Sequence, residues 1–477
     1  MLPPPGPAPA GTAAAPAPPR RPWRENVEAM TMAIVVALLF KYFVLEISKI
    51  PSGSMQPTLM GNPETGVFDR TLVDKLVYRF RDPRRFEIVV FKHPLERSRV
   101  MVKRLVGMPG EELKIEHGDL WTRAGEGEPW RILRRPENVQ AAAWRTLRPS
   151  ARGADWGVVR GGKEWQVGGE RIVARGDGAA RFRPEAGPIT DGYTDGYPPA
   201  LQGQIVVRDP SLGRSPVGDV RLEGELVALA ETTAVTVELT EGQRVYEFTL
   251  PGPAAPADAR ARVLVRDSAA GSERVAEGEP VRLAAGARLA FAAENLDDRL
   301  ALELDGRTVA TTEIEPSARR EASLTLGVLG AGADFAELRV RRDIHYLTPE
   351  GRSSWSVVIP PGHFVMLGDN TQDSADGRLW KSQTWTWKDA EPEVKVRGNY
   401  REGGENPTYG VLADGSPGIR FRDEWGEMHW FARQGGPRES LPGNAPLVPR
   451  ELVLGRAVAV FWPIRPLSGL WRLGWLH

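Results

Sequence analysis

The sequence has no cysteine among its 477 residues. Disulfide bonds and zinc sites built on thiolates are therefore excluded, but the compartment stays open, because a reducing cytosol and a disulfide-free exported domain both permit this composition. An excess of either charge is also lacking, since 62 basic residues balance 62 acidic ones. No basic motif is present, so we expect no nucleic-acid partner. We likewise expect no cofactor and no metal ion.

Long hydrophobic runs are absent except for one. Residues 27–45 read VEAMTMAIVVALLFKYFVL, and as a helix they would span about 28 Å, close to the roughly 30 Å hydrocarbon core of a bilayer. We predict a transmembrane anchor at residues 26–46, with Glu28 and Lys41 near its ends. The alternatives are a buried core helix and a cleaved signal peptide, although no small-residue cleavage site closes the run.

The segment before the anchor, residues 1–25, is dominated by proline, alanine and glycine. Such a composition buries too little apolar surface to offset the entropy of the chain, so we predict a disordered tail. Arg20, Arg21 and Arg24 precede the hydrophobic run. By the positive-inside rule, the tail is expected in the cytoplasm, and everything after a single membrane pass is expected outside it.

The rest of the chain reads as mainly β-structure. Evenly spaced strand-like runs between Gly, Pro and Asp turns fill residues 121–345 and are typical of a β-sandwich of the jelly-roll or lectin type. Asp305-Gly306 predicts a tight hairpin within this block. The strand-like runs are Gln204–Arg208, Ala234–Leu239, Arg244–Leu250, Ala261–Arg266, Leu300–Leu304 and Glu337–Arg341. No catalytic pattern occurs in the block, which reads as a spacer or recognition module.

A serine-rich segment, Ile50-Pro-Ser-Gly-Ser-Met-Gln-Pro-Thr-Leu59, begins a few residues after the hydrophobic run. A nucleophilic serine at this place would act at the lipid surface, and it would need a base to take its proton. Histidine is the usual base. A Ser-His-Asp site using His363 and Asp369 is conceivable, but no nucleophile-elbow pattern supports it.

Lysine is the other candidate base, and it must be neutral to act as one. Lys103 lies in Met101-Val-Lys-Arg-Leu-Val-Gly-Met-Pro-Gly110. On a strand, alternation places it on an apolar face with Met101 and Leu105, with Arg104 on the opposite face. Such a face can desolvate an amine, whereas a lysine on a strand is by itself usually a solvated edge charge.

These two segments, followed by Gly368-Asp-Asn-Thr-Gln-Asp-Ser-Ala-Asp-Gly-Arg378, occur in an order that resembles the type I signal peptidases, which are membrane-anchored Ser/Lys proteases. The resemblance implies that Ser54 is the nucleophile and Lys103 the base. It further implies that Ser52 and the backbone N–H of Ser54 form the oxyanion hole. The remaining roles fall on Ser374, which would orient the lysine, and on the supporting Asp376 and Arg378.

The sequence departs from the family pattern at several places, and the resemblance covers less than half of the chain. Thr371 and Gln372 stand where an arginine often follows Gly-Asp-Asn, Met101 replaces an aromatic residue of some members, and Phe86-Glu87 replaces a Gly-Asp pair. The implied catalytic domain is divided into residues 47–120, 346–380 and 447–477. Between its parts lie the inserted β-sandwich and a polar, tryptophan-rich insertion at 381–446. Trp471 and Trp475, near the end, suit a membrane interface.

The implied function is that of a serine endopeptidase in the inner (plasma) membrane, which cuts signal peptides from exported preproteins after small residues at Ala-x-Ala-like sites. Its expected partners are secretory preproteins, membrane lipid and a ligand of unknown identity for the inserted β-sandwich. Two other classes are considered: a binding protein whose protease part is inert, and a cytosolic β-rich scaffold. Intact Ser54 and Lys103 argue against the first, and the second fails if the protein partitions into membranes after carbonate washing.

Overall fold

The computed structural model describes residues 22–147, 155–183, 187–205, 207, 209, 211–349, 352–387, 394–434, 436–465 and 470–477. Strands dominate these ranges, which confirms the predicted mainly β fold. Of the tail predicted at residues 1–25, residues 1–21 lie outside the described residues.

The hydrophobic run forms a helix, Pro22–Phe43, that is long and apolar enough to cross a membrane. None of its apolar window is buried within the protein, so the alternative of a buried core helix is wrong. The predicted bounds need correction at both ends, because residues 22–25 are helical and the helix stops before Leu45. The chain turns into a strand there, since Leu45–Lys49 pairs with Arg70–Asp74.

An eight-stranded antiparallel sheet, here called the core sheet, follows the helix. Hydrophobic side chains pack on its strands in two clusters, one around Phe91 and Met366 and the other around Met55 and Ala457. The first seven strands lie in the order Leu45–Lys49, Arg70–Asp74, Val453–Trp462, Ile88–His93, Glu96–Gly107, His363–Leu367 and Leu447–Pro449, and Gly474–Trp475 pairs with Val453–Trp462.

A four-stranded sheet continues the chain beyond the core sheet. It consists of Ser354–Val358, Glu112–Glu116, Asp119–Arg123 and Arg131–Ile132, in that order. The expected beginning of the inserted β-sandwich at residue 121 therefore falls inside a strand that pairs with Glu112–Glu116. The first strand of the sandwich sheets is Arg145–Thr146, so the sequence placed this boundary too early.

The inserted β-sandwich, here called the module, consists of two sheets that enclose one large hydrophobic cluster. Its first and last strands lie side by side, since Arg145 pairs with Arg342. One sheet has the order Gln166–Gly168, Arg171–Arg175, Gly332–Arg342, Val220–Ala228, Arg288–Leu296, Arg299–Leu304 and Arg307–Glu313, with Arg145–Thr146 paired to Gly332–Arg342. The other has the order Trp156–Arg160, Gly178–Phe182, Ala322–Gly330, Thr232–Glu241, Arg244–Pro251, Arg260–Asp267 and Ser272–Pro280.

The turn predicted at Asp305-Gly306 is confirmed. Leu304 pairs with Arg307 across it, and both turn residues have positive φ, at 47° and 74°, as a two-residue hairpin of this kind requires. In the strand predicted at Gln204–Arg208, residues 204, 205 and 207 belong to no strand, and residues 206 and 208 lie outside the described residues. Residues 204 and 205 follow a short helix, Pro199–Gln202. Ile205 packs against a small hydrophobic cluster that contains Tyr197 and Leu470.

The region predicted as a polar insertion has a core of its own, formed by aromatic and aliphatic residues around Trp385 and Phe421. Its strands form one four-stranded and one three-stranded sheet: Lys381–Trp387, Val394–Tyr400, Arg438–Glu439 and Gly443–Asn444 in the first, and Thr408–Val411, Pro417–Arg422 and Met428–Ala432 in the second.

The remaining elements are the strand pairs Gly61–Asn62 with Val67–Phe68 and Ile464–Arg465 with Leu470–Trp471, the helices Val77–Phe80 and Glu137–Ala143, and the 3-10 turns Gly53–Met55, Glu402–Gly404 and Arg450–Leu452.

Candidate active site

Ser54 sits in a 3-10 turn, Gly53–Met55, a few residues after the first strand of the core sheet. The turn is anchored on one side by the buried side chain of Met55. On the other side Asn370 holds it twice: its side-chain amide donates to the carbonyl of Gly53 at 3.0 Å, and its backbone N–H donates to the carbonyl of Ser54 at 3.2 Å. Ser54 itself stays partly exposed, so its hydroxyl is held in place and accessible.

Lys103 lies in the strand Glu96–Gly107, opposite Val89 of the neighbouring strand. Its side chain is buried, with a residue exposure of 1%, and its Nζ donates a hydrogen bond to Ser54 Oγ. Burial lowers the pKa of Lys103 to about 8, although the charge of Asp376 opposes this shift. An amine with such a pKa has an accessible neutral form near neutral pH, which a general base requires.

Ser52 is exposed at the edge of the same turn, and its Oγ lies 3.5 Å from Ser54 Oγ. A hydroxyl at this distance from the attacking atom can reach an oxygen that develops negative charge on the attacked carbonyl. The structure therefore brings Ser52, Ser54 and Lys103 together, in the arrangement expected from the sequence.

Asp376 and Arg378 form a buried pair behind the lysine. The guanidinium of Arg378 donates to both carboxylate oxygens of Asp376 at 2.8 Å, and Asp376 also accepts the backbone N–H of Gly368 at 2.9 Å. Burial acts to raise the pKa of Asp376, but the charge and hydrogen bonds of Arg378 hold it below its ordinary value. The carboxylate stays ionised, so its charge reaches Lys103 and limits how far the lysine pKa falls.

Ser374 is also buried in this group, but its Oγ has no hydrogen-bond partner among the residues that the structure describes. The hydrogen bond to Lys103 implied by the family resemblance is therefore not formed in this structure. Gly368 lies directly against the hydroxyl: a Cβ at this glycine would be 2.1 Å from Ser374 Oγ and 2.4 Å from the carbonyl oxygen of Ser54. The segments that carry Ser54 and Ser374 can lie this close to residue 368 because glycine has no side chain.

A second buried ion pair was not assigned from the sequence. Arg104 donates to both oxygens of Asp369, at 2.8 Å and 2.7 Å, and Thr58 donates to the same carboxylate at 2.6 Å. Arg145 of the module donates to the Thr58 hydroxyl at 2.9 Å. This pair ties the serine loop, the lysine strand and the Gly368–Arg378 segment together. Arg104 and Asp369 both stood in the quoted motifs, so the signal was present, whereas nothing in the sequence marked Arg145.

The module reaches the site through a segment that contributes no strand to its two sheets. Tyr197 Oη donates to Gln56 Oε1 at 2.7 Å, and Tyr193 Oη donates to Asp373 at 3.3 Å. A cleft of about 520 Å³ opens beside Gly53 and Gln56, with Tyr193 and Asp373 on its opposite side. Sequence reasoning missed these residues, because the contacts join positions more than a hundred residues apart.

The histidine alternative has no support in the geometry. His363 has its ring Nδ1 3.0 Å from the carbonyl of Pro361, and Asp369 is occupied by Arg104. His93 is buried beside Trp380, and burial lowers its pKa to about 3. The described residues therefore contain no hydrogen-bonded Ser-His-Asp arrangement around Ser54.

Comparison with known proteins agrees with this geometry. The family described as signal peptidase, peptidase S26, matches residues 23–152. The chain is 31% identical over 168 residues to Signal peptidase I V of Bacillus subtilis, covering 34% of this chain and 94% of the relative. It is 37% identical over 110 residues to Probable signal peptidase I-2 of Synechocystis, covering 22% of this chain and 47% of that relative. The chain spans about half the length of the first curated relatives that it matches.

Solved structures also show similarity to this chain. Carbohydrate binding module CBM66 from Bacillus subtilis is 14% identical, and the match covers 39% of this chain and 96% of that one, at a TM-score of 0.26. A TM-score this low supports no inference about a ligand.

Proposed function

Because the chain belongs to the signal peptidase I family, covering 94% of a relative at 31% identity, we propose that it is a serine endopeptidase that removes signal peptides from exported preproteins. The contact between Lys103 Nζ and Ser54 Oγ carries the proposal. Buried neighbours hold both Lys103 and Ser54 in place, so the folded structure fixes this contact.

In the proposed reaction, neutral Lys103 takes the proton of the Ser54 hydroxyl while Ser54 Oγ attacks the scissile carbonyl. The backbone N–H of Ser54 and the hydroxyl of Ser52 stabilise the oxyanion of the tetrahedral intermediate. Protonated Lys103 then gives its proton to the leaving amine as the peptide bond breaks. Water, deprotonated by the same lysine, hydrolyses the acyl-enzyme and restores Ser54.

Asp376 and Arg378 have positioning roles in this proposal. Their mutual ion pair fixes the Gly368–Arg378 segment against the serine loop, and Asp376 receives the Gly368 backbone N–H at 2.9 Å. Ser374 is proposed to orient Lys103 by a small rotation of its unpartnered hydroxyl. A Ser374 hydroxyl that gains its partner only when substrate binds is compatible with a site that tightens in the Michaelis complex.

The substrates proposed are secretory preproteins, cut after small residues at Ala-x-Ala-like sites. The cleft beside Gly53 and Gln56 would accept a stretch of extended polypeptide running past Ser54. The module strands between Arg145 and Arg342 are proposed to form an insertion into the catalytic domain, and residues 381–446 a second one.

We further propose that the helix Pro22–Phe43 is a single-pass anchor in the inner (plasma) membrane. Arg20, Arg21 and Arg24 place its beginning in the cytoplasm and the catalytic domain on the other side. Trp462, Trp471 and Trp475 are exposed, at 45%, 62% and 76%. Exposed tryptophans near a membrane anchor favour contact with the lipid headgroup region.

The experiment that tests the function uses the full chain solubilised in detergent and a fluorogenic peptide with an Ala-x-Ala site. Ser54→Ala is expected to abolish cleavage after the third residue of that site. Ser98→Ala serves as the matched control, because Ser98 is an exposed serine on the lysine strand and should leave cleavage unchanged. No cleavage by the wild type would favour the alternative of an inert binding protein, whereas equal cleavage by wild type and Ser54→Ala would overturn the role of Ser54 as the nucleophile.

A further inference from the structure

Three buried carboxylates converge where the module meets the four-stranded sheet. Asp119 begins a strand of that sheet, Asp219 precedes the module strand Val220–Ala228, and Asp297 lies in the turn before Arg299–Leu304. Each has an exposure of 5% or less, and one oxygen from each lies within 4.8 Å of one oxygen from both others. None of these three carboxylates has a role in the proposed proteolytic chemistry.

The negative charge of the cluster exceeds the positive charge that reaches it. Arg320 donates to Asp119 and lies 3.8 Å from Asp219, but it also donates to Glu241 at 3.3 Å. One guanidinium therefore serves several buried carboxylates.

Two further arginines approach the cluster but have other partners. Arg135 is paired with Asp343 at 2.7 Å, and Arg134 is paired with Glu313 and also donates to the backbone carbonyl of Asp297. Buried charges that are not compensated are costly, so a further cation would stabilise the arrangement.

Oxygen atoms without partners point independently to a ligand at this place. Within the described ranges, no hydrogen bond reaches Asp297 Oδ2, either carboxylate oxygen of Asp298, or Asn295 Oδ1, and all are buried. Asn295 has an exposure of 1% and its Nδ2 donates to the Gly218 carbonyl at 3.2 Å, next to Asp219. Asp298 follows Asp297 directly in the same turn. Buried polar atoms are rarely left without a partner in native proteins.

We propose that Asp119, Asp219 and Asp297 bind a calcium ion, with Asn295 and Asp298 as further oxygen donors. The donor atoms are all oxygens, which suits a hard cation and not zinc. Calcium–oxygen bonds of about 2.3–2.6 Å allow two ligands of one ion to be at most roughly 5 Å apart, and the three carboxylates meet this limit. From the sequence alone we expect no metal ion. The ligands come from three distant segments and form no sequence motif, so the sequence cannot indicate this site.

Such an ion would connect the two parts of the protein. Asp119 belongs to the sheet that continues from the lysine strand, whereas Asp219 and Asp297 belong to the module. The metal would thus hold the module in one orientation relative to the catalytic half. The proposal is independent of the proposed peptidase activity, since none of these residues contacts Ser54 or Lys103.

The test uses the full chain in detergent after treatment with EDTA. Adding calcium chloride is expected to raise Tm by about 5 °C, because a ligand that binds only the folded state stabilises it. The same concentration of magnesium chloride should raise it far less. In a terbium luminescence titration, the wild type should show a site for which calcium competes.

Two variants make the test specific. Asp297→Asn is expected to lose the calcium-dependent shift and the corresponding terbium signal, and in EDTA it should melt no lower than the wild type, because it removes a repulsive charge. Glu427→Gln alters an exposed carboxylate of a separate group, Asp423, Glu427 and His429, and should keep both responses. The proposal is overturned if calcium leaves Tm unchanged, if magnesium stabilises equally, or if Asp297→Asn retains the terbium signal.

Discussion

Tyr197 of the module donates its hydroxyl to Gln56, two residues after Ser54, at 2.7 Å. Both side chains are buried, with exposures of 3% and 2%. The segment that carries the nucleophile is therefore held in part by a residue far away in the sequence, from a block that showed no catalytic pattern.

Tyr197→Phe should lower kcat for peptide cleavage by about fivefold, because the loss of a buried hydrogen bond of about 1 kcal/mol loosens the turn next to the nucleophile. KM should change less. Tyr246→Phe is the matched control, since Tyr246 makes its hydrogen bond to Glu241 inside the module. It should lower Tm and leave kcat unchanged. Equal kcat values for both variants and the wild type would show that the module does not position the serine loop.

Replacing Lys103 by Met should reduce kcat by at least about 10²-fold, because the general base is lost. The same substitution should raise Tm at neutral pH, since a buried amine with a lowered pKa costs stability and an apolar side chain of similar length does not. Thermal melting and peptide cleavage measured on one preparation check both effects. A variant that loses activity and also Tm would instead indicate that Lys103 has a structural role.

The pH profile of kcat/KM should rise through a midpoint near pH 8, the pKa of the buried Lys103 amine. About one tenth of the lysine is neutral at pH 7 and about nine tenths at pH 9. Stability should rise as well between about pH 8 and the unfolded lysine pKa near 10.4, because the unfolded state binds the extra proton there. A profile with a midpoint near pH 6.5 that survives Lys103→Ala but vanishes in His363→Ala would support the histidine alternative.

Gly368→Ala should abolish activity while the protein stays folded, because the new Cβ would push Ser374 and the Ser54 carbonyl apart by contacts of 2.1 Å and 2.4 Å. Cleavage assays and circular dichroism measure the two properties. Gly443→Ala is the control, since a Cβ at Gly443 meets nothing within 4 Å. Full activity in Gly368→Ala would mean that the two segments can separate without affecting the dyad.

Asp369→Asn should lower the free energy of unfolding by about 3–5 kcal/mol, because it leaves the buried guanidinium of Arg104 without its counter-charge. Burial acts to raise the pKa of Asp369, but Arg104 and Arg145 lower it to about 2. The stabilisation from this carboxylate is therefore complete above its unfolded pKa near 3.9 and is lost as the pH falls toward 2. Denaturant titrations at pH 7 and pH 3 compare the variant with the wild type, and the difference should shrink in acid.

The sequence predicted the elements that depend on local patterns. Alternation placed Lys103 on an apolar strand face, and the buried amine confirms this; the Asp305-Gly306 turn followed from the backbone freedom of its residues. The boundary of the module was misplaced, because the strand Asp119–Arg123 alternates like those of a sandwich and only its partner shows which sheet it joins. The Tyr197 contact and the calcium ligands could not be predicted, since long-range pairing decides which polar residues meet.

The pairing of Arg145 with Arg342 has an evolutionary consequence. A module whose two ends lie side by side leaves and re-enters its host at neighbouring positions, so the host chain can continue along the same path whether the module is present or not. One in-frame recombination at this junction can add or remove the whole unit, and its loss also removes the contacts of Arg145 and Tyr197 with the serine loop. The same junction gives protein engineers a place to graft a foreign domain into this chain.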